Sequence, residues 1–117
     1  MITCYIRYVT DIHKAAEFER YSRMWLTIIP RLSGTHHGYF LPSEGAIDIA
    51  LALFSFPSLA DYERYRTALE TDPEAQTALE FARETRCFLR YDRSFFRPLL
   101  PDAGASTLPS PHNQELS

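Results

Sequence analysis

A chain of 117 residues, 45% of them hydrophobic and 23% charged, makes one globular domain around a single core. Its net charge of −3 argues against a nucleic-acid partner, which needs clustered excess positive charge. No stretch approaches the roughly 20 apolar residues of a membrane span, and Arg7 interrupts the only apolar run near the start. No membrane association and no secretory leader are therefore expected. Cys4 and Cys87 lack metal-ligand spacing and are expected as reduced core residues of a cytoplasmic protein.

In residues 2–9, ITCYIRYV, Ile2, Cys4, Ile6 and Tyr8 alternate with Thr3, Tyr5, Arg7 and Val9. That period of two predicts a strand with one core face. Thr10 and Asp11 offer an N-cap for a helix from about Ile12 to Leu32. Phe18, Tyr21, Trp25, Ile28 and Leu32 recur along it at spacings of three and four. Pro30 should bend or loosen its last turn, and Gly34 sits where a left-handed C-terminal residue is wanted.

The central stretch THHGYFLPSEGAIDIALALFSF reads as a hairpin, with strands Thr35–Leu41 and Ala46–Phe56 around a Pro-Ser-Glu-Gly connection. Ser58 and Asp61 resemble a capping box opening a second helix, on which Leu59, Tyr62, Arg66 and Leu69 share a face. Asp72-Pro73 should break that helix and start a third running to about Thr85. Residues 87–97 form the last strand. The segment 101–117 is polar and proline-rich, and a disordered tail is expected there beyond a domain of residues 1–100.

The order βαββαβ predicts an α+β, ferredoxin-like fold with the first and third strands central in an antiparallel sheet and the helices on one face. The third strand is apolar on both sides, Ala50, Ala52, Phe54 and Phe56 alternating with Ile49, Leu51 and Leu53. A second sheet is needed to cover the far face, so a homodimer forming a dimeric α+β barrel is expected.

The N-terminal strand, WLTIIPRLSG, THHGYFLPSEG, IALALFSFPSLADYERYR and the DPE break together resemble the NIPSNAP family over Ile2 to Leu99. The resemblance implies a ferredoxin-like protomer in a dimeric α+β barrel and no established catalytic mechanism. Related barrel families include cofactor-free monooxygenases and small-molecule isomerases or lyases, a kinship of fold only.

His36 and His37 are adjacent on a strand, so they point to opposite faces and cannot hold one metal ion from the same side. No metal and no cofactor is expected. One of the two should face the inter-sheet cavity, where a histidine can serve as general acid or base. Tyr5 and Arg7 share a face of the first strand, Arg90 and Asp92 share one of the last, and the two strands are neighbours. An ion pair from Arg7 or Arg90 to Asp92 satisfies these charges structurally, whereas an arginine left unpaired recognises a carboxylate or enolate. Tyr39 joins them on the expected cavity wall, and the family likeness of the SEG segment places Glu44 at its mouth.

Two functions remain open at this point. In the first, the dimer binds a small carbonyl-bearing or aromatic molecule in the inter-sheet cavity and acts on it as a cofactor-free monooxygenase or isomerase. In the second, the barrel is a non-catalytic interaction module filled by its own side chains, as the partner-binding eukaryotic relatives suggest. The first requires a solvent-reached pocket of roughly 300 Å³ or more.

Overall fold

The computed structural model describes residues 1–101; of the expected tail, 101–117, all but Pro101 lies outside the described residues. The period of two near the start becomes β1 (Ile2–Thr10). A 3-10 turn (Ile12–Lys14) leads into α1 (Ala15–Arg31), and β2 (Thr35–Phe40), β3 (Ile49–Phe56), α2 (Leu59–Leu69), α3 (Pro73–Thr85) and β4 (Phe88–Phe96) follow. The sheet order is β2-β3-β1-β4 with every neighbouring pair antiparallel. This is the predicted ferredoxin-like arrangement, with α2 and α3 standing where a single second helix would be.

Local chemistry explains most element ends. Asp11 accepts the His13 amide at 2.9 Å, which caps the 3-10 turn ahead of α1. Ser58 accepts the Asp61 amide at 3.1 Å while its hydroxyl donates to the Asp61 carboxylate at 2.8 Å, a capping box with Asp in place of Glu. Asp72 accepts the Ala75 amide at 2.9 Å, and Pro73 follows at the first helical position. The same Asp72 takes a two-pronged hydrogen bond from Arg31 at 2.8 and 2.7 Å, joining the end of α1 to the start of α3.

The helix–sheet layer holds the core. Cys4, Ile6 and Tyr8 of β1 and Ala50, Ala52, Phe54 and Phe56 of β3 face Phe18, Trp25 and Ile28 of α1. Burying a side chain such as Phe54 is worth about 1.5–3 kcal/mol. Rings and small residues alternate across the strands, with Tyr8 opposite Ala50 and Tyr39 opposite Ala52.

Three local expectations are corrected. The left-handed residue after α1 is Ser33, at φ 81°, and not Gly34. Gly34 is required for space instead, since a Cβ there would stand 2.6 Å from Ile29 Cγ2 and 2.9 Å from Phe56 Cζ. β3 begins at Ile49 and not Ala46, because the connection through Gly45 (φ 96°) runs on to an exposed Ile47. On α2 the buried residues are Tyr62 and Tyr65, while Leu59 is exposed.

Candidate functional site

One backbone irregularity decides which residues share a cavity. Between His36, opposite Phe54, and Gly38, opposite Leu53, His37 is an extra residue in β2. Gly38 takes φ 111°, and nothing lies within 4 Å of where its Cβ would be, so it is glycine for conformation alone. The bulge turns Tyr39 to the same side as His36, and their rings stack at 5.2 Å on the helix face. His37 lies on the other side and bonds to Ser55 Oγ at 2.7 Å; that hydroxyl also shares a 2.7 Å bond with Thr3 Oγ1.

The sheet therefore divides the residues expected on one cavity wall. His36 and Tyr39 lie under the helices. Tyr5, Arg7, His37, Arg90 and Asp92 lie on the open face by strand register. Arg7 Nη1 stands 3.8 Å from Asp92 Oδ2 on the directly opposite strand position, Arg7 half-buried and Asp92 exposed. Arg90 is exposed across from Val9, and Tyr5 meets Phe96 edge to face at 5.8 Å. Glu44 is exposed in the β2–β3 connection. Among the described residues no cluster of His, Cys, Asp or Glu could hold a metal ion, and no helix is long and apolar enough to cross a membrane.

The cavity of the protomer lies between helices and sheet and measures about 400 Å³. Its floor is buried and aromatic, built from Tyr8, Tyr21, Trp25, Phe54, Tyr62 and Tyr65. Its rim is exposed and polar, with Arg66 on α2 and Glu70 capping its end, Gln76 and Arg83 on α3, and Tyr91 and Arg93 on β4. Tyr39 borders the same space.

The floor offers donors and lacks a charged acceptor. Burial pushes the Tyr8 phenol well above its ordinary range, and the neighbouring Tyr39 and Tyr21 push it further. Burial likewise raises Tyr39 strongly and lifts Tyr21 to about 12. All three remain protonated at neutral pH, so each can donate an O–H. The Trp25 indole N–H is near enough to Tyr21 to counter that rise slightly, yet it has no partner with hydrogen-bond geometry and is fully buried. A buried donor left unmade costs about 1–3 kcal/mol.

His36 lies on the same face of the sheet, beside Tyr39, but does not line the cavity. Its Nδ1 accepts the Gly38 amide at 2.9 Å, so the proton of the neutral ring sits on Nε2, which is buried and unpartnered. Burial, with a smaller contribution from His37, pulls its pKa down to about 4. With its one lone pair engaged, His36 is no general base. Of the expected pair, His37 is the one on the open face, where the inter-sheet cavity was expected.

Sequence reasoning assigned Tyr21 and Trp25 to plain core and passed over Arg93. A usable signal was present in α2, where Arg66 falls on the inward stripe with Tyr62 and Leu69. An arginine on a core-facing stripe marks a polar-lined space behind it.

Comparison with known proteins gives a consistent placement. The NIPSNAP family model matches residues 4–100, while no curated protein matches the chain. Among solved structures, protein Atu4242 from Agrobacterium tumefaciens superposes with a TM-score of 0.74 at 20% identity, covering 85% of this chain and 94% of that one. An uncharacterized NIPSNAP-like domain protein from Burkholderia xenovorans gives 0.66 at 26% identity, covering 97% and 96%. A candidate antibiotic biosynthesis monooxygenase from Nitrosomonas europaea gives 0.61 at 10% identity, covering 86% and 100%, a likeness of fold alone.

Proposed function

The chain belongs to the NIPSNAP family, and from that premise we propose that it works as a homodimer binding a small carbonyl-bearing or aromatic molecule in the cavity beneath its helices. The observation that carries this reading is the cavity itself. It encloses about 400 Å³, with an aromatic floor and a polar rim, within the size range of small-molecule sites. An interaction module filled by its own side chains has no use for such a space. The site is moved here from the inter-sheet position first expected, because Tyr39, His36 and the tyrosine hydroxyls all lie on the helix side.

Neutral donors in a water-poor space stabilise negative charge on oxygen. The phenols of Tyr21 and Tyr39, which border the cavity, supply such donors, which suits a ligand carbonyl that turns into an enolate. Cofactor-free isomerisation or oxygenation of an enolisable ligand is the chemistry this floor supports. The proton would leave toward the rim, where Glu70 is the lining carboxylate.

The homodimer uses the open face. Leu51, Leu53 and Phe40 lie there, with Phe40 49% exposed, and a second copy of the same sheet would cover them. Native mass spectrometry of untagged protein tests both parts. A dimer carrying a discrete adduct that is lost on denaturation is the expected result, and Leu51→Asp should give a folded monomer. A monomeric wild type would refute the dimer. A dimer that stays adduct-free through screening against aromatic carbonyl compounds would refute the ligand.

A further inference from the structure

Resting on that reading, we infer that the ligand is an anion, a ring-bearing carboxylate whose acidic group is held at the rim by Arg66 and Arg93 while its ring lies on the aromatic floor. Arg66 of α2 and Arg93 of β4 border the same cavity from two different elements. Both are also near enough to Cys4 for their charge to oppose the rise that burial imposes on its thiol.

Among the described residues, Arg7, Arg23, Arg31, Arg64 and Arg83 each have a carboxylate partner, whereas Arg66 and Arg93, like Arg20, Arg86, Arg90 and Arg97, form no ion pair. Of these unpaired arginines, Arg66 and Arg93 are the two that border the cavity. Glu70, the carboxylate on the rim, pairs with neither. Each is instead steadied by an aromatic ring, Arg66 at 6.0 Å from the Tyr62 centroid and Arg93 at 5.4 Å from that of Tyr91. Arg66 also donates to the Tyr62 hydroxyl at 3.1 Å, which fixes the direction of its planar fork. A guanidinium so held keeps donors free for a flat two-oxygen acceptor.

Below the arginines the floor is ring upon ring, Tyr62 and Tyr65 at 5.8 Å and Tyr21 and Trp25 at 6.2 Å. That surface favours a flat aromatic body.

The test uses cinnamate and its neutral isostere cinnamamide as probes. Trp25 is the only tryptophan, so one indole cross-peak in a proton–nitrogen correlation spectrum reports occupancy of this cavity. Cinnamate should shift that peak and bind about tenfold or more tightly than cinnamamide, the scale of a charge-assisted contact. In Arg66→Gln/Arg93→Gln the advantage should vanish while cinnamamide binding is kept. Arg93→Gln alone, at an exposed position, should remove part of it if the double variant does not fold. Equal affinity for the two probes, or a preference that survives these substitutions, overturns the anion assignment and leaves the pocket reading standing. An indole peak that neither probe moves counts against both.

Discussion

The two faces of this sheet are built from the same strands, yet they obey different chemistry. On the helix side, Tyr8, Tyr39 and Phe54 sit among rings, charges are absent from the floor, and polar groups are neutral donors. On the other side Arg7 pairs with Asp92, and a chain of hydroxyl and imidazole groups runs from His37 through Ser55 to Thr3 across three strands. Alternation of side chains sends successive residues of one strand into these two settings. Adjacent positions are thus energetically unlike, and Leu53 and Phe54 differ more than their sequence suggests.

The sharpest way to break that contrast is to truncate those two neighbours. Phe54→Ala should lose about 3–5 kcal/mol of stability in urea unfolding, the usual range for an emptied core phenyl site. Leu53→Ala should cost at most about 1 kcal/mol in dilute protein, and more as concentration rises if a second copy covers it. Comparable losses in dilute samples would mean that the open face is as fully packed as the core. A smaller effect separates the histidines. His36 stays neutral in the fold down to about pH 4, against an ordinary value of 6.5. Unfolding therefore takes up a proton in that window, and stability falls as pH drops from 6.5 toward 4. His36→Phe should flatten the pH–stability curve there, and His37→Phe should leave the slope in place; the reverse pattern would exchange their surroundings. The smallest effect belongs to the exposed pair, where Arg7→Ala should change stability by no more than about 1 kcal/mol. A larger loss would place Arg7 out of solvent in solution.

Much of the fold was legible. Ile2 to Val9 announced β1 by alternation, Phe18 to Ile28 announced α1 by its stripe, and Asp72-Pro73 announced the break between α2 and α3. The position of the candidate site was not legible, for reasons that are geometric. Strict alternation from His36 would put Tyr39 on the open face, and only the backbone shows that Gly38 absorbs one residue. Nor does spacing reveal that the helices and the sheet leave about 400 Å³ between them beside Trp25. A tryptophan on an inward stripe looks the same whether its indole meets packed carbon or open space. Gly34 was read as the left-handed end of α1, but Ser33 takes that conformation and Gly34 is constrained by the proximity of Ile29 and Phe56, which no local spacing shows.

The extra residue in β2 also governs how this strand is to be matched with others. β2 consists of two half-strands in opposite phase, joined at His37–Gly38, so odd and even positions exchange meaning halfway along. An alignment that slides a relative's strand past this point without a gap will equate Tyr39 with an outward-facing residue and Phe40 with a core one. Positional equivalence at the site is therefore a matter of counting from the bulge, and two sequences can share every letter class here while presenting opposite surfaces.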